Sequence, residues 1–443
     1  MSFPRYASYR QIGATWIGRL PSHWTVQKFR HLFRESGEKI DDNVVGPMLS
    51  VSGYRGIEIK IYDDENRRRL DEELVGYRVV RPGQLVVNTM WLNYAGLGVS
   101  DYEGHVSPAY RSYWIDSHLE RRFVHFLMRS SLYVQGYTRL LTGIRPNSLQ
   151  MSREDLQEFP IIVPPAEEQQ AIAEFLERET SKIDALIADQ ERLIELLKEK
   201  RQAVISQAVT KGLKQNAPMV QSKIDCIGGI PNHWRLMKLG RCAFMQEGPG
   251  LRNWQFTGDG IRVICVTNIT DEGVDFSRLE KFISPSEYES TYRHFTVAEG
   301  DILLSSSGNS WGKVAIYRSP ENVILNTSTI RLNELPDGPI SREYLPILLK
   351  SGMVRDQLGL AMTGSCQPNF GPSHLSAIRV AVPPRTEQLQ IVKYLSGRTA
   401  LLDGLSESAE RCRNTLEERR SALISATVTG QIDVRGFAEK SAA

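Results

Sequence analysis

Two segments of this chain are written twice, and any fold it adopts must accommodate that. Ile17-Gly18-Arg19-Leu20-Pro21-Ser22-His23-Trp24 returns 210 residues later as Ile227-Gly228-Gly229-Ile230-Pro231-Asn232-His233-Trp234. Val163-Pro164-Pro165-Ala166-Glu167-Glu168-Gln169 returns 219 residues later as Val382-Pro383-Pro384-Arg385-Thr386-Glu387-Gln388. Each Pro-Pro copy opens a long charged stretch, and these match as well: Lys200-Arg201-Gln202-Ala203-Val204-Ile205-Ser206 aligns with Arg419-Arg420-Ser421-Ala422-Leu423-Ile424-Ser425 at the same offset of 219. Between the anchors the copies match only weakly. Similar frames around dissimilar contents imply one scaffold used twice to present two different binding surfaces.

The repeat is far longer than the ~20–50 residues of a solenoid unit, so the duplicated piece is a domain plus a helix. At 443 residues there is room for two or three domains with cores of their own. The 41% hydrophobic and 24% charged content is that of an ordinary soluble protein. A net charge of +2 neither demands nor excludes nucleic acid, because a local basic surface can hide in a balanced total. The five cysteines include no C-x-x-C pair, which argues against a disulfide framework or a zinc site and points to a reducing, cytoplasmic setting. No apolar run approaches the ~20 residues of a membrane span, and Met1–Arg10 lacks the apolar core of a signal peptide.

The first helix is expected over Ala166–Lys211. Pro164 and Pro165 block helix upstream, Glu167 and Glu168 complement the positive end of its dipole, and Gly212 stops it. Apolar residues recur in 3,4 steps at Ile183, Leu186, Leu193, Leu197 and Val204. Their repeat mates are Leu402, Leu405, Cys412, Leu416 and Leu423. The expectation is a heptad seam along which the two helices bury their stripes against each other. A pseudo-two-fold axis relating the units makes that pair antiparallel. The second helix contains Gly397 and Gly404, each costing ~1 kcal/mol relative to Ala; they suit a close crossing or a kink, or else mark a locally weak helix for which the seam compensates. The globular parts are rich in short β runs punctuated by Gly, Pro, Asn and Ser. The predicted class is α+β: globular residues 1–163, a helix within 164–212, globular residues 213–382, a helix within 383–433 and a tail at 434–443.

This arrangement resembles the specificity subunit of type I restriction–modification systems. The resemblance rests on the two Pro-Pro-x-x-Glu-Gln helix starts and the two Ile-Gly-x-x-Pro-x-His-Trp openings. The Gly83-Gln84-Leu85 and Gly300-Asp301-Ile302 turns, and the loops Thr142–Asn147 and Thr363–Asn369, also fit. It implies that each globular domain reads one half of a bipartite DNA target, with the paired helices setting the gap. It implies as partners double-stranded DNA, two copies of a DNA adenine methylation subunit, and motor-nuclease subunits. S-adenosylmethionine, ATP and magnesium are then expected in those partners, with no cofactor, metal or catalytic residue in this chain.

Two matched loops follow predicted strands, and both mix hydrogen-bonding side chains with an aromatic. They supply Asn88, Thr89, Trp91, Asn93 and Tyr94 in the first copy and Ser306, Ser307, Asn309, Ser310, Trp311 and Lys313 in the second. Asn and Ser can read base edges, while Lys and backbone N–H groups hold phosphates. A second pair of segments offers Tyr110 and Arg111, and Asn326 and Thr327. A third offers Arg145 and Asn147, and Gln367 and Asn369. Several tempting features carry less. His23 and His233 sit beside Trp with no ligand partner at metal spacing, so a structural contact is expected. Gly308–Val314 is one residue short of a phosphate loop and has Val where a hydroxyl should bind magnesium. Arg67-Arg68-Arg69 is followed by Asp71-Glu72-Glu73 and reads as a solvated face. Two alternatives are a coiled-coil scaffold with two protein-binding domains and a self-sufficient nuclease or methyltransferase. The second is disfavoured because no Asn-Pro-Pro-aromatic segment or complete glycine-rich cofactor fingerprint occurs.

Overall fold

The computed structural model describes residues 3–41, 43–53, 55–62, 70–143, 149–362 and 369–438. The chain divides into two units. One comprises Met1–Glu191 with Glu410–Ala443, the other Arg192–Ala409. Both boundaries fall inside long helices, Ala166–Lys211 and Arg385–Val428. The central helix starts after Pro165 and is followed by Gly212 in the left-handed region (φ 71°).

Within the first unit, the start of the central helix packs against the end of the distal one. Ile172, Ala173, Phe175 and Leu176 share a core with Ile424 and Val428, while Asp184 meets Arg420 further along. Residue numbers rise on one helix as they fall on the other, so the pair is antiparallel. Within the second unit the same holds: Ile205, Ala208 and Val209 share a core with Ile391 and Leu395, and Arg201 meets Asp403.

The buried stripe differs by one residue from the expected seam at alternate positions. Ile183 is buried and Leu197, Val204, Leu402, Leu416 and Leu423 are half-buried, but Leu186, Leu193, Leu405 and Cys412 are exposed. The stripe runs instead through Leu176, Thr180, Ile183, Ile187, Gln190, Ile194, Leu197, Arg201 and Ile205. Its repeat mates, Leu395, Thr399, Leu402, Ser406, Ala409, Arg413, Leu416, Arg420 and Ile424, are all buried or half-buried. Leu186-Ile187 and Leu193-Ile194 are neighbouring apolar residues about 100° apart on the helix, so both phases carry a 3,4 rhythm. The distal helix runs unbroken through Gly397 and Gly404. Neither has another heavy atom within 4 Å of its would-be Cβ, so no close crossing occurs there.

The two duplicated motifs meet in each unit. Glu168, buried at the first turn of the central helix, accepts from the Tyr6 hydroxyl (2.9 Å) and Trp24 Nε1 (3.0 Å) and pairs with His23 Nε2 (2.6 Å). Glu387 repeats this with Trp234 Nε1 (2.8 Å) and His233 Nε2 (2.7 Å). Burial pushes the Glu387 carboxyl up, but the Trp234 and His233 bonds outweigh it and hold it below the usual range. The next residue ties the helix start to the domain: Gln169 accepts from Glu120 N and donates to the His118 and Pro164 carbonyls. Gln388 does the same with Ser341 N and the Pro339 and Pro383 carbonyls. The histidines are thus structural, bonded to a glutamate rather than simply packed on Trp.

Each globular domain carries a four-stranded antiparallel sheet of the same topology. In the first the order is Phe33–Glu35, Arg111–Ile115, Leu85–Val87, Leu97–Val99. In the second it is Ala243–Glu247, Thr329–Glu334, Ile302–Ser305, Val314–Ile316. The glycine before each third strand, Gly83 (φ 85°) or Gly300 (φ 87°), lies where an arginine from a later segment, Arg121 or Arg342, fills the space a Cβ would need. That geometry explains the Gly-Gln-Leu and Gly-Asp-Ile turns.

Candidate nucleic-acid interface

In the first domain the loop Asn88–Gly96 joins the two hairpin strands Leu85–Val87 and Leu97–Val99 and is closed by Asn88 N donating to Gly96 O at 2.8 Å. Leu92 anchors a 3-10 turn over Leu92–Tyr94, and Ala95 leaves it in the left-handed region. Trp91 and Tyr94 project from this turn, 55% and 59% exposed, with ring centroids 5.7 Å apart. Asn88 and Thr89 do not project: both are buried, and Asn88 Oδ1 accepts from Met90 N. Asn93 is half-buried, and its Oδ1 has no hydrogen-bond partner among the described residues.

The second and third segments converge on this loop. Tyr110 is half-buried against Asn88, and burial raises its hydroxyl pKa while the Asn88 bond lowers it less. Thr142 bridges to Gln150, and Met151 N donates to Thr89 O. Arg145 and Asn147 lie outside the described residues. Arg111 donates to Glu35 (2.7 Å).

The second domain builds the same place from other residues. The loop Ser306–Lys313 joins Ile302–Ser305 to Val314–Ile316, closed by Ser305 N to Lys313 O (3.0 Å) and Gly312 N to Ser305 O (2.8 Å). Ser310 is half-buried, its hydroxyl 3.0 Å from that of Ser305. Trp311 lies under the Arg355 guanidinium (5.2 Å to the ring). Asn309 is exposed, while Ser307 and Lys313 are half-buried. Ser306 is fully buried with an unpartnered hydroxyl, so like Asn88 and Thr89 it sits inside its loop. Its backbone gathers the other segments: Ser306 N donates to Ser328 O and Phe370 N to Ser306 O, and Ser307 bridges to Asn369. Asn326 is half-buried beside Cys265 and Thr327 is exposed. Gln367 lies outside the described residues. Asn93 Oδ1, Ser306 Oγ and Asn326 Oδ1 are thus all buried without partners at the loop convergence. Unmet buried polar atoms cost about 1–3 kcal/mol each and cluster where function requires them.

Two features escaped the sequence reading. Arg129 sends its guanidinium under the first loop, donating to the carbonyls of Ser52, Gly53, Ala95 and Leu97 at 2.6–3.1 Å. It thereby ties the hairpin Leu49–Ser52/Gly56–Ile59 to the loop Asn88–Gly96. In the second domain Gly248 N donates to Thr329 O and Ser328 N to Glu247 Oε1, which brings Gly248–Trp254 alongside the second segment. Trp254 stands there 81% exposed. The Gly248-Pro249-Gly250 turn ahead of Arg252-Asn253-Trp254 was the available signal.

The family model described as "Type I restriction modification DNA specificity domain" matches residues 139–196 and 255–410. The chain is 24% identical over 290 residues to the type I restriction enzyme MjaVIII specificity subunit of Methanocaldococcus jannaschii, covering 65% of each. It is 25% identical over 303 residues to the EcoBI specificity subunit of Escherichia coli, covering 65% of this chain and 62% of the relative. The alignments thus span just under two thirds of those relatives. A solved chain from work on complex assembly and conformational transition of the type I R-M system superposes with a TM-score of 0.68 at 14% identity, covering 93% of this chain and 99% of the other. The chain is thus similar in sequence to specificity subunits of type I restriction enzymes and shares its fold with a chain of a type I R-M system. Among the described residues no helix is long and apolar enough to cross a membrane.

Proposed function

We propose that the chain reads an asymmetric bipartite sequence in double-stranded DNA, one half-site per globular domain. On this reading two copies of an adenine methylation subunit, which supply S-adenosylmethionine, and motor-nuclease subunits, which supply ATP and magnesium chemistry, act in the cytoplasm at sites this chain selects. One observation carries the reading: three loop segments converge at the same topological place in both domains, yet carry different side chains, Trp91 and Tyr94 exposed and Asn93 half-buried in one, Asn309 and Asn369 exposed and Trp311 half-buried in the other. Unlike loops on like sheets read unlike half-sites. The leucines exposed outside the seam, Leu186 in one unit and Leu193, Leu196, Leu401 and Leu405 in the other, support partner helices packing on the helix pair of each unit.

The test is to change Asn93 and Tyr94 to Ala in one variant and Asn309 and Trp311 to Ala in another, then map methylated adenines genome-wide in cells carrying each. A lost base contact costs ~1–3 kcal/mol. Each variant should relax one half of the recognised sequence and leave the other intact. Equal loss on both halves, or no change in either, refutes the assignment.

A further inference from the structure

Three guanidinium groups converge on one carboxylate at the foot of the first domain's loops. Glu35 Oε1 lies 2.7 Å from Arg111 and 3.5 Å from Arg78, and its Oε2 lies 2.8 Å from Arg153. Among the described residues no other carboxylate lies within ion-pair distance of these arginines. The cluster therefore carries an excess of two positive charges, part of it screened from water: Arg78 is nearly buried, Arg111 about one third exposed and Arg153 54% exposed. Holding like charges this close is unfavourable unless an anion completes the set.

The cluster is continuous with the loops. Arg78 Nε donates to the carbonyl of Pro108, inside the second segment. Arg111 pairs across the sheet with Val87, the residue before Asn88. Arg153 follows Met151, whose N–H holds Thr89 O. Glu35 and Arg153 also line a cleft of about 620 Å³, with Arg34 and Trp114 on its walls. Strand register gives the second domain Met245 where the first has Glu35: Tyr113 opposes Glu35 and Leu85, and Leu332 opposes Met245 and Ile302. The cluster thus belongs to one domain alone.

We propose that Arg111 and Arg153, gathered and aimed by Glu35 with Arg78 behind them, clamp a backbone phosphate of duplex DNA beside the half-site read by the first domain. This rests on the DNA-reading function above and adds a sequence-independent contact to it. A guanidinium suits the role because its planar fork bonds two phosphate oxygens at once. Glu35 holds the forks in place, and its single negative charge leaves the site net positive.

Binding of the full chain to a fluorescent 30-base-pair duplex of arbitrary sequence, measured from 50 to 200 mM salt, tests this. Each phosphate contact contributes about 0.9 to the slope of log affinity against log salt. R153Q should flatten that slope by about one contact, so that its deficit against wild type narrows roughly three-fold across the range. The loss should be the same on every duplex sequence, whereas a loop variant would change sequence preference. E35Q should act in the opposite sense, with tighter non-specific binding and a steeper slope, because its amide oxygen still accepts from a guanidinium and holds it in place while the negative charge that competes with phosphate is gone. Wild type that binds duplex with normal salt dependence, alongside R153Q and E35Q that match it in slope and affinity, overturns the clamp and leaves the function standing. Wild type with no salt-dependent affinity for any duplex overturns the function, and the clamp with it.

Discussion

Asp184 accepts two hydrogen bonds from Arg420, Nε to Oδ1 at 2.7 Å and Nη2 to Oδ2 at 3.2 Å, and so ties the first half of the central helix to the second half of the distal helix in one unit. Its repeat mate ties the helices in the other unit, where Arg201 Nε donates to Asp403 Oδ1 at 2.8 Å. Residues 184 and 403, like 201 and 420, are 219 apart, so one aspartate and one arginine per repeat generate both locks. Each arginine stands on the inner stripe, where an aliphatic residue would have been the default, and it makes the pairing depend on orientation.

Asp184→Asn should lower stability by about 1 kcal/mol, because the pair is only partly shielded from water. Asp403→Asn should cost less, since that pair is more exposed and shows one hydrogen bond. Thermal unfolding of the two variants checks the order. Equal, negligible shifts would remove the ion pairs from the account of how the helices register.

Arg129→Met should keep the first domain folded but loosen the loop Asn88–Gly96, because four carbonyls lose their common donor. Burial, then repulsion from Arg420, holds the Arg129 pKa down at about 10, so a lysine there should regain only part of the effect. The expected readout is relaxed preference at one half-site, with the other unchanged, in a methylation map. A variant that weakens both half-sites in proportion would indicate general destabilisation instead.

His125 sits between Gly56, Gly98 and Arg129, and burial, then the charges of Arg129 and Arg420, push its pKa down to about 3. The folded chain keeps it neutral, while the unfolded chain protonates it near 6.5. Below that value the unfolded state binds more protons, so stability falls as the pH drops from about 6.5 towards 3. His125→Gln should flatten this part of the stability profile. A profile identical to wild type in denaturant melts between pH 7 and 4 would show that His125 titrates normally.

Inserting one heptad at each unit boundary, after Glu191 and after Ala409, preserves both seams because seven residues restore the stripe. It lengthens each helix by about 10.5 Å, which is about three base pairs at roughly 3.4 Å each. The two half-site sequences should persist while the preferred gap between them grows. Rotation of one half-site about the duplex will lower the methylation rate, so the measurement is the optimum among targets differing only in gap length. A folded variant with the original optimum would show that the helices do not set the distance.

The frame was legible in the residues alone. The duplicated motifs predict two like units, and Pro165 and Gly212 delimit the central helix at Ala166–Lys211 as found, because proline and glycine act on the backbone of their own neighbourhood. The seam was legible only to within one residue. Leu186-Ile187 and Leu193-Ile194 offer two equally apolar phases, and only the packing partner decides that the isoleucines go inside. The candidate loops were located correctly relative to the strands, yet which of their side chains turn inward was not: Asn88 and Ser306 are drawn in by backbone partners, and Trp91 is left out. Arg129, Arg153 and Glu35 were invisible for the same reason. Each acts on groups tens of residues away, and long-range contacts of that kind leave no local period or spacing to read. Sequence determined the scaffold through local backbone chemistry and repetition; tertiary packing decided which faces are buried and which charges meet.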